Sequence, residues 1–182
     1  VTSGVAWAIV WKYLLQGGTA GPVNWFLALF GIQGPNWLNE KGWAMASVIV
    51  TRVLKNQRTN VLIVYVSVMN LDISIVEAAR IDGASGFKLF SKIKLPLLMP
   101  TVLMASIVTM IGSMRVFDTI KLMTEGGPEG STMVLVYYIY YQGFKAFKTG
   151  YASAIAVILF LIMLVLTMLQ WVARKKVSHY EE

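Results

Sequence analysis

Two stretches of this chain, residues 95–114 and 149–173, carry no acidic or basic side chain and are almost wholly apolar. Each reaches the roughly 20 residues that a helix needs to cross a bilayer, so the pattern predicts two membrane-spanning helices. A third uncharged run, 1–11, is too short to cross alone. Since it opens on Val1 with no basic segment before it, it reads as the end of a span whose beginning lies upstream, and the chain as N-terminally incomplete. A fourth apolar region, 43–71, is expected to span although Arg52, Lys55 and Arg58 interrupt it. Residues 121–149 are too broken by charge to cross. Their Gly126-Gly127-Pro128 turn and an aromatic helix over about 133–147 are expected at the outer surface, where Tyr tolerates both lipid and water.

Composition agrees with this pattern. The 182 residues are 57% hydrophobic and only 14% charged, below the roughly 25% of soluble domains. With no Cys, disulfides and thiolate metal sites are excluded. His179 follows Arg174-Lys175-Lys176 in a polar tail and reads as a solvated residue, and no carboxylates pair at a plausible spacing inside a span. Neither a metal site nor a cofactor is expected. A phosphate-binding Gly loop, a nucleophile elbow and a His-Glu-x-x-His helix are all lacking, so the chain does not read as an enzyme. The net charge of +7 belongs to membrane-flanking segments and gives no reason to expect nucleic acid.

Two crossings separate the polar stretch 77–96 from the C-terminal basic cluster, so both face the same side. Arg80, Lys88, Lys92, Lys94, Arg174, Lys175 and Lys176 lie there, against Lys41, Lys121, Lys145, Lys148 and the marginal Lys12 opposite. The excess places the 77–96 loop and the C-terminus in the cytoplasm.

That loop has its own grammar. Ser74 followed by Glu77 predicts a capping box and a helix start. Gly83 supplies a left-handed corner, and a second helix is expected to stop before Pro96. On the first helix Ile75, Ala78, Ala79 and Asp82 share a nearly flat side suited to a groove in another protein. On the second, Phe87, Phe90 and Ile93 form an apolar stripe beside Lys88 and Lys92, which would meet lipid headgroups.

The order Glu77-Ala78-Ala79, Gly83, then Ile93, Leu95 and Pro96 resembles the EAA loop of bacterial ABC importer permeases. The runs RVFDTIKLMTEGGPEGST and YYIYYQGFKAFKTGYASA are similar to the sugar-type branch, of which the maltose-transporter permeases are the nearest named group. This resemblance implies an all-α, polytopic transmembrane bundle of the type I importer kind. It implies a permease domain over 1–173 with a cytoplasmic coupling loop at about 72–96, an extracytoplasmic segment at 121–149, and a cytoplasmic tail over 174–182. It further implies a multi-pass protein of the bacterial inner membrane that imports a sugar or oligosaccharide. The implied partners are an ATP-binding cassette subunit that hydrolyses the ATP, a second permease subunit and an extracytoplasmic solute-binding protein. Ser74, Glu77, Ala78, Ala79, Asp82, Gly83, Ile93, Leu95 and Pro96 would form the ATPase-binding surface, with Glu77 as ion-pair anchor. Pro96 and Pro100 would end the loop helix and shape the start of the next span.

For the substrate pathway the candidates are Arg115, Asp118, Arg52, Lys55 and Arg58. Charged residues at membrane depth are functional candidates by default; an internal Arg115 to Asp118 ion pair that only fixes packing is the alternative. At 100° per residue Arg52, Lys55 and Arg58 share about a third of one helix circumference. They are read as a lining for an acidic sugar, as partners for acids of the second subunit, or as side chains reaching an aqueous edge. Two further functions stay open: an importer for another solute such as a phosphate ester or polyamine, and a membrane scaffold that recruits a cytoplasmic protein.

Overall fold

The computed structural model describes residues 3–178, with side chains as far as Val172. The side chains of Arg174, Lys175 and Lys176, and His179, on which the expected cytoplasmic tail rests, lie outside the described residues. Among those described the chain is all-α, as expected, with no strand. The helices are α1 (Gly4–Leu14), α2 (Pro22–Ala28), α3 (Lys41–Met69), α4 (Ile73–Ile81), α5 (Gly86–Met114), α6 (Asp118–Met123), α7 (Leu135–Tyr140) and α8 (Thr149–Ser178). Helix α5 and residues Thr149–Val172 of α8 are long and apolar enough to span a bilayer; α3 and α4 pass the same test only together, across a 68° bend. On α8, Phe160, Leu161, Val165 and Leu169 are exposed while Ala152, Ile155 and Leu159 are buried. Such an apolar exterior suits lipid as its solvent.

One correction concerns Pro96 and Pro100. The loop helix does not stop before them, because α5 runs through both. A π turn over Phe90–Lys94, in which Leu95 N–H reaches back to Phe90 O, loosens the ladder just where Pro96 has no N–H to give.

The chain divides into two compact units. The first takes the chain as far as Lys55 together with Ser113–Ile162; the second takes Asn56–Gly112 and the chain from Met163. In the first, α1 packs on α6. Ala8, Leu15, Leu38 and Met123 form one core cluster, and Val48, Val116, Ile120 and Tyr137 another. Ile120 is fully buried, and such burial is worth about 1.5–3 kcal/mol.

A chain of hydrogen bonds ties the segments of this unit to α3. The Trp7 indole donates to Thr51 O, the Thr51 hydroxyl to Ser47 O, and the Ser47 hydroxyl to Trp37 O. The Trp37 indole then donates to Asn24 Oδ1 at 2.6 Å, and Asn24 Nδ2 to Pro35 O at 3.2 Å. Asn24 is only 4% exposed, so Asn24→Ala strands the indole N–H and is expected to cost about 1–3 kcal/mol. Thermal unfolding in detergent measures this.

In the second unit polar contacts cross from α3 to α5. The Ser67 and Thr101 hydroxyls meet at 2.8 Å, and the Thr109 hydroxyl donates to Asn60 Oδ1 at 3.1 Å. Side chains of this kind hold helices together where lipid removes the hydrophobic drive between them.

Candidate functional site

Helix α4 starts one turn after α3 ends, and its cap differs from the expected capping box. Asp72, not Ser74, is the N-cap, and its Oδ1 accepts the Ser74 N–H at 2.9 Å. An aspartate directly before Ile73-Ser74-Ile75-Val76 was the available signal; the Ser74-to-Glu77 spacing obscured it, because Ser74 lies inside the first turn. The Ser74 hydroxyl, then its N–H, hold the Asp72 carboxyl below the usual carboxylate range, with desolvation opposing them. Because the folded value is lowered, the cap contributes fully above the ordinary 3.8 and is lost as pH falls through the folded value beneath it. Exchange at the Ser74 amide is therefore expected to be slower than in Asp72→Ala at neutral pH, and to converge with it in acid.

The C-terminus of α4 closes as expected at Gly83, whose φ is +81°. Gly83 N–H bonds to Arg80 O at 3.0 Å and Ala84 N–H to Ala79 O at 2.9 Å. This pair of bonds is the Schellman arrangement. A side chain at Gly83 would meet open space, so the backbone angle alone requires glycine there.

Of the side expected to face outward on α4, Ile75, Ala78 and Asp82 are exposed and Ala79 alone is not. Ala79 is 8% exposed and faces inward, as α4 packs on residues 86–94. The exposed surface also takes in Ile73, Glu77 and Ile81, successive at i, i+4 and i+8, with Ser74 and Ala78 beside them. Ile73 is 70% and Ile81 86% exposed. A carboxylate between two bare isoleucines is a surface made to be covered, and Phe87, 81% exposed, extends the apolar area. Asp82, Gly83 and Pro96 are also exposed, whereas Ile93 and Leu95 are half-buried.

In the first unit the predicted pathway residues sort differently. Asp118, at the start of α6, lies 3.6 Å from an Arg52 guanidinium nitrogen and 3.5 Å from Lys55 Nζ. Its Oδ1 also accepts the Thr119 N–H. The carboxylate thus pairs with the two α3 cations rather than with Arg115, which is exposed. Internal pairing of these cations was missed because 63 and more positions of sequence separate them from Asp118, and no local spacing reports such a contact. Arg58 is exposed.

Gly4 at the start of α1 lies over this cluster. A Cβ there would overlap Asp118 Oδ2 and come within 2.7 Å of Lys55 Nζ. Gly4→Leu is therefore expected to displace the carboxylate and lower thermal stability more than the same change at Gly42, where a Cβ meets nothing. Thr124 and Glu125, just before the Gly126-Gly127-Pro128 turn, line a cleft of about 510 Å³ with Lys12, Gln16, Asn36 and Asn39. Glu125 takes a φ of +51°, uncommon for a residue with a side chain.

Comparison with known proteins places this geometry. The profile of the binding-protein-dependent transport system inner membrane component family matches residues 4–179. The chain is 33% identical over 150 residues to the sulfoquinovosyl glycerol transport system permease protein SmoG of Agrobacterium fabrum, covering 82% of this chain and 46% of that one. It is 34% identical over 132 residues to the trehalose/maltose transport system permease protein MalF of Thermococcus litoralis, covering 72% and 43%. The chain thus spans about half the length of the curated relatives it matches. A bacterial ABC transporter involved in the import of the acidic polysaccharide alginate shares the fold, with a TM-score of 0.84 at 22% identity over 96% of this chain and 61% of the other. With nearly its whole length matched and its helices laid out as in a solved importer, the chain belongs to the binding-protein-dependent transport system inner membrane component family.

Proposed function

We propose that this chain is the membrane permease of an ATP-driven, binding-protein-dependent importer for a sugar or oligosaccharide, and that α4 is its joint with a separate ATPase subunit. The observation that carries the reading is the Ile73, Glu77, Ile81 stripe, bare on a helix set at 68° to α3 and closed by Gly83. Closure of an ATPase dimer around a seated α4 moves it as a rigid body, and the bend at residues 70–72 passes that motion into α3. Glu77 serves as the ion-pair anchor, Ile73, Ile81 and Ala78 as the packed surface, and Gly83 as the corner. Arg80, Lys88, Lys92 and Lys94 put this loop, and with it the C-terminus, on the cytoplasmic side of the inner membrane. ATP hydrolysis belongs to the ATPase subunit and substrate delivery to a solute-binding protein; a second permease subunit completes the pathway.

An acidic sugar is a second reading that α3 favours, since residues 41–69 hold Lys41, Arg52, Lys55 and Arg58 and no acid. Relatives named for sulfoquinovosyl glycerol and alginate are in keeping with it. Arg52, Lys55 and Asp118 would then set the charge of the pathway in the first unit, with Arg115 as its exposed cation. The test is uptake of labelled sugars into vesicles that hold the full-length permease, its partner subunits, binding protein and internal ATP. ATP-dependent uptake supports the importer; a scaffold shows none. Neutral-sugar uptake that is unchanged on neutralising Arg52, Lys55 and Arg58 counts against the acidic substrate.

A further inference from the structure

Helix α2 has two unlike sides. Asn24 is turned inward and bonded to Trp37 and Pro35, and Val23 packs against the core cluster of Ala8, Leu15, Leu38 and Met123. The other side carries Trp25 and Phe26, and the turn after the helix carries Leu29 and Phe30, all more than half exposed, with the two phenylalanine rings edge to face at 5.3 Å. Ile32, past the left-handed Gly31, adds to it.

Charge indicates what covers this side. Between Lys12 and Glu40 the chain has no acidic or basic residue, although it includes two turns and a helix too short to span. A protein interface keeps a polar, partly charged rim that stays in contact with water. Trp25 suits the headgroup boundary, where indoles collect, and the uncharged Phe26, Leu29 and Phe30 suit the upper acyl chains beside it. The apolar exterior also continues onto α1, where Val5, Ile9, Val10 and Tyr13 are exposed.

We infer that α2 and the turn after it lie in the membrane interface, with Trp25, Phe26, Leu29 and Phe30 seated among lipid headgroups and upper acyl chains. There α2 is an anchor that holds one end of the first unit at fixed depth, a role independent of the transported solute and of the ATPase joint.

These 182 residues hold no cysteine, and any cysteine elsewhere in the protein is replaced by serine before the test. Single replacements Phe26→Cys, Leu29→Cys and Phe30→Cys are spin-labelled in the protein reconstituted in phosphatidylethanolamine and phosphatidylglycerol vesicles, with the exposed Asn39→Cys as reference. Collision rates are measured with oxygen, which partitions into lipid, and with a water-soluble nickel chelate. The inference predicts an oxygen-to-nickel ratio several-fold above that of Asn39→Cys at all three positions, with or without the second permease subunit. Nickel access equal to the reference means the side faces water and overturns it. Low access to both reagents that appears only with the second subunit means a protein covers α2, and overturns it equally.

Discussion

Reversing the charge at Glu77 is expected to disconnect ATP hydrolysis from uptake. In Glu77→Lys the cationic partner expected in the ATPase cleft would face a second cation between Ile73 and Ile81, in a surface that binding removes from water. Losing one member of such a pair costs about 2–5 kcal/mol, so uptake should fall by about tenfold or more. Membrane insertion should not change, because Glu77 is exposed and α4 keeps its Asp72 cap and Gly83 close. Glu77→Gln, which keeps the size and loses the charge, should fall between the two. Uptake and ATP hydrolysis in vesicles, with the amount of inserted permease measured alongside, read this out.

The second large effect is expected at Asp118. Asp118→Ala leaves Arg52 and Lys55, whose side chains are 18% and 19% exposed, without the carboxylate they share. Breaking a buried pair costs about 3–5 kcal/mol; since Asp118 keeps 35% of its own exposure, roughly 2–3 kcal/mol is expected. Much of that cost comes from the abandoned cations. Arg52→Met and Lys55→Met added to Asp118→Leu should therefore recover most of the lost stability in thermal unfolding, although Asp118→Leu alone should not. If the triple variant is no better than Asp118→Ala, the cluster holds the helices by geometry rather than by cancelling charge.

How far the residues announced these sites depends on the range of the interaction. The spans over 95–114 and 149–173, the corner at Gly83 and the short helix before it were legible because each follows from contiguous composition or from one backbone angle. The cap was misplaced by two residues because Asp72 and Ser74 both suit the position, and which wins depends on how α3 ends. On α4 only Ala79 was misjudged, since Ile75, Ala78 and Asp82 are exposed as expected. Small residues suggest close approach, yet Ala79 uses its smallness against residues 86–94 of its own unit, leaving the bulkier Ile73 and Ile81 outside. Pro96 read as a stop because a proline usually is one, and only the π turn before it shows how the helix continues. The Asp118 pairing and the Asn24 to Trp37 bond are tertiary contacts, invisible to any local pattern.

The claim that α4 is the coupling joint is tested most directly by covering it. These 182 residues hold no cysteine; with any cysteine elsewhere in the protein replaced by serine, Ala78→Cys reports on the exposed surface beside Glu77 and Ala79→Cys on the buried one. Maleimide labelling of the reconstituted permease, with and without its ATPase subunit, should be fast at Ala78→Cys alone and strongly slowed when the ATPase is added, with Ala79→Cys slow throughout. An Ala78→Cys rate unchanged by an ATPase subunit that supports uptake would contradict the account.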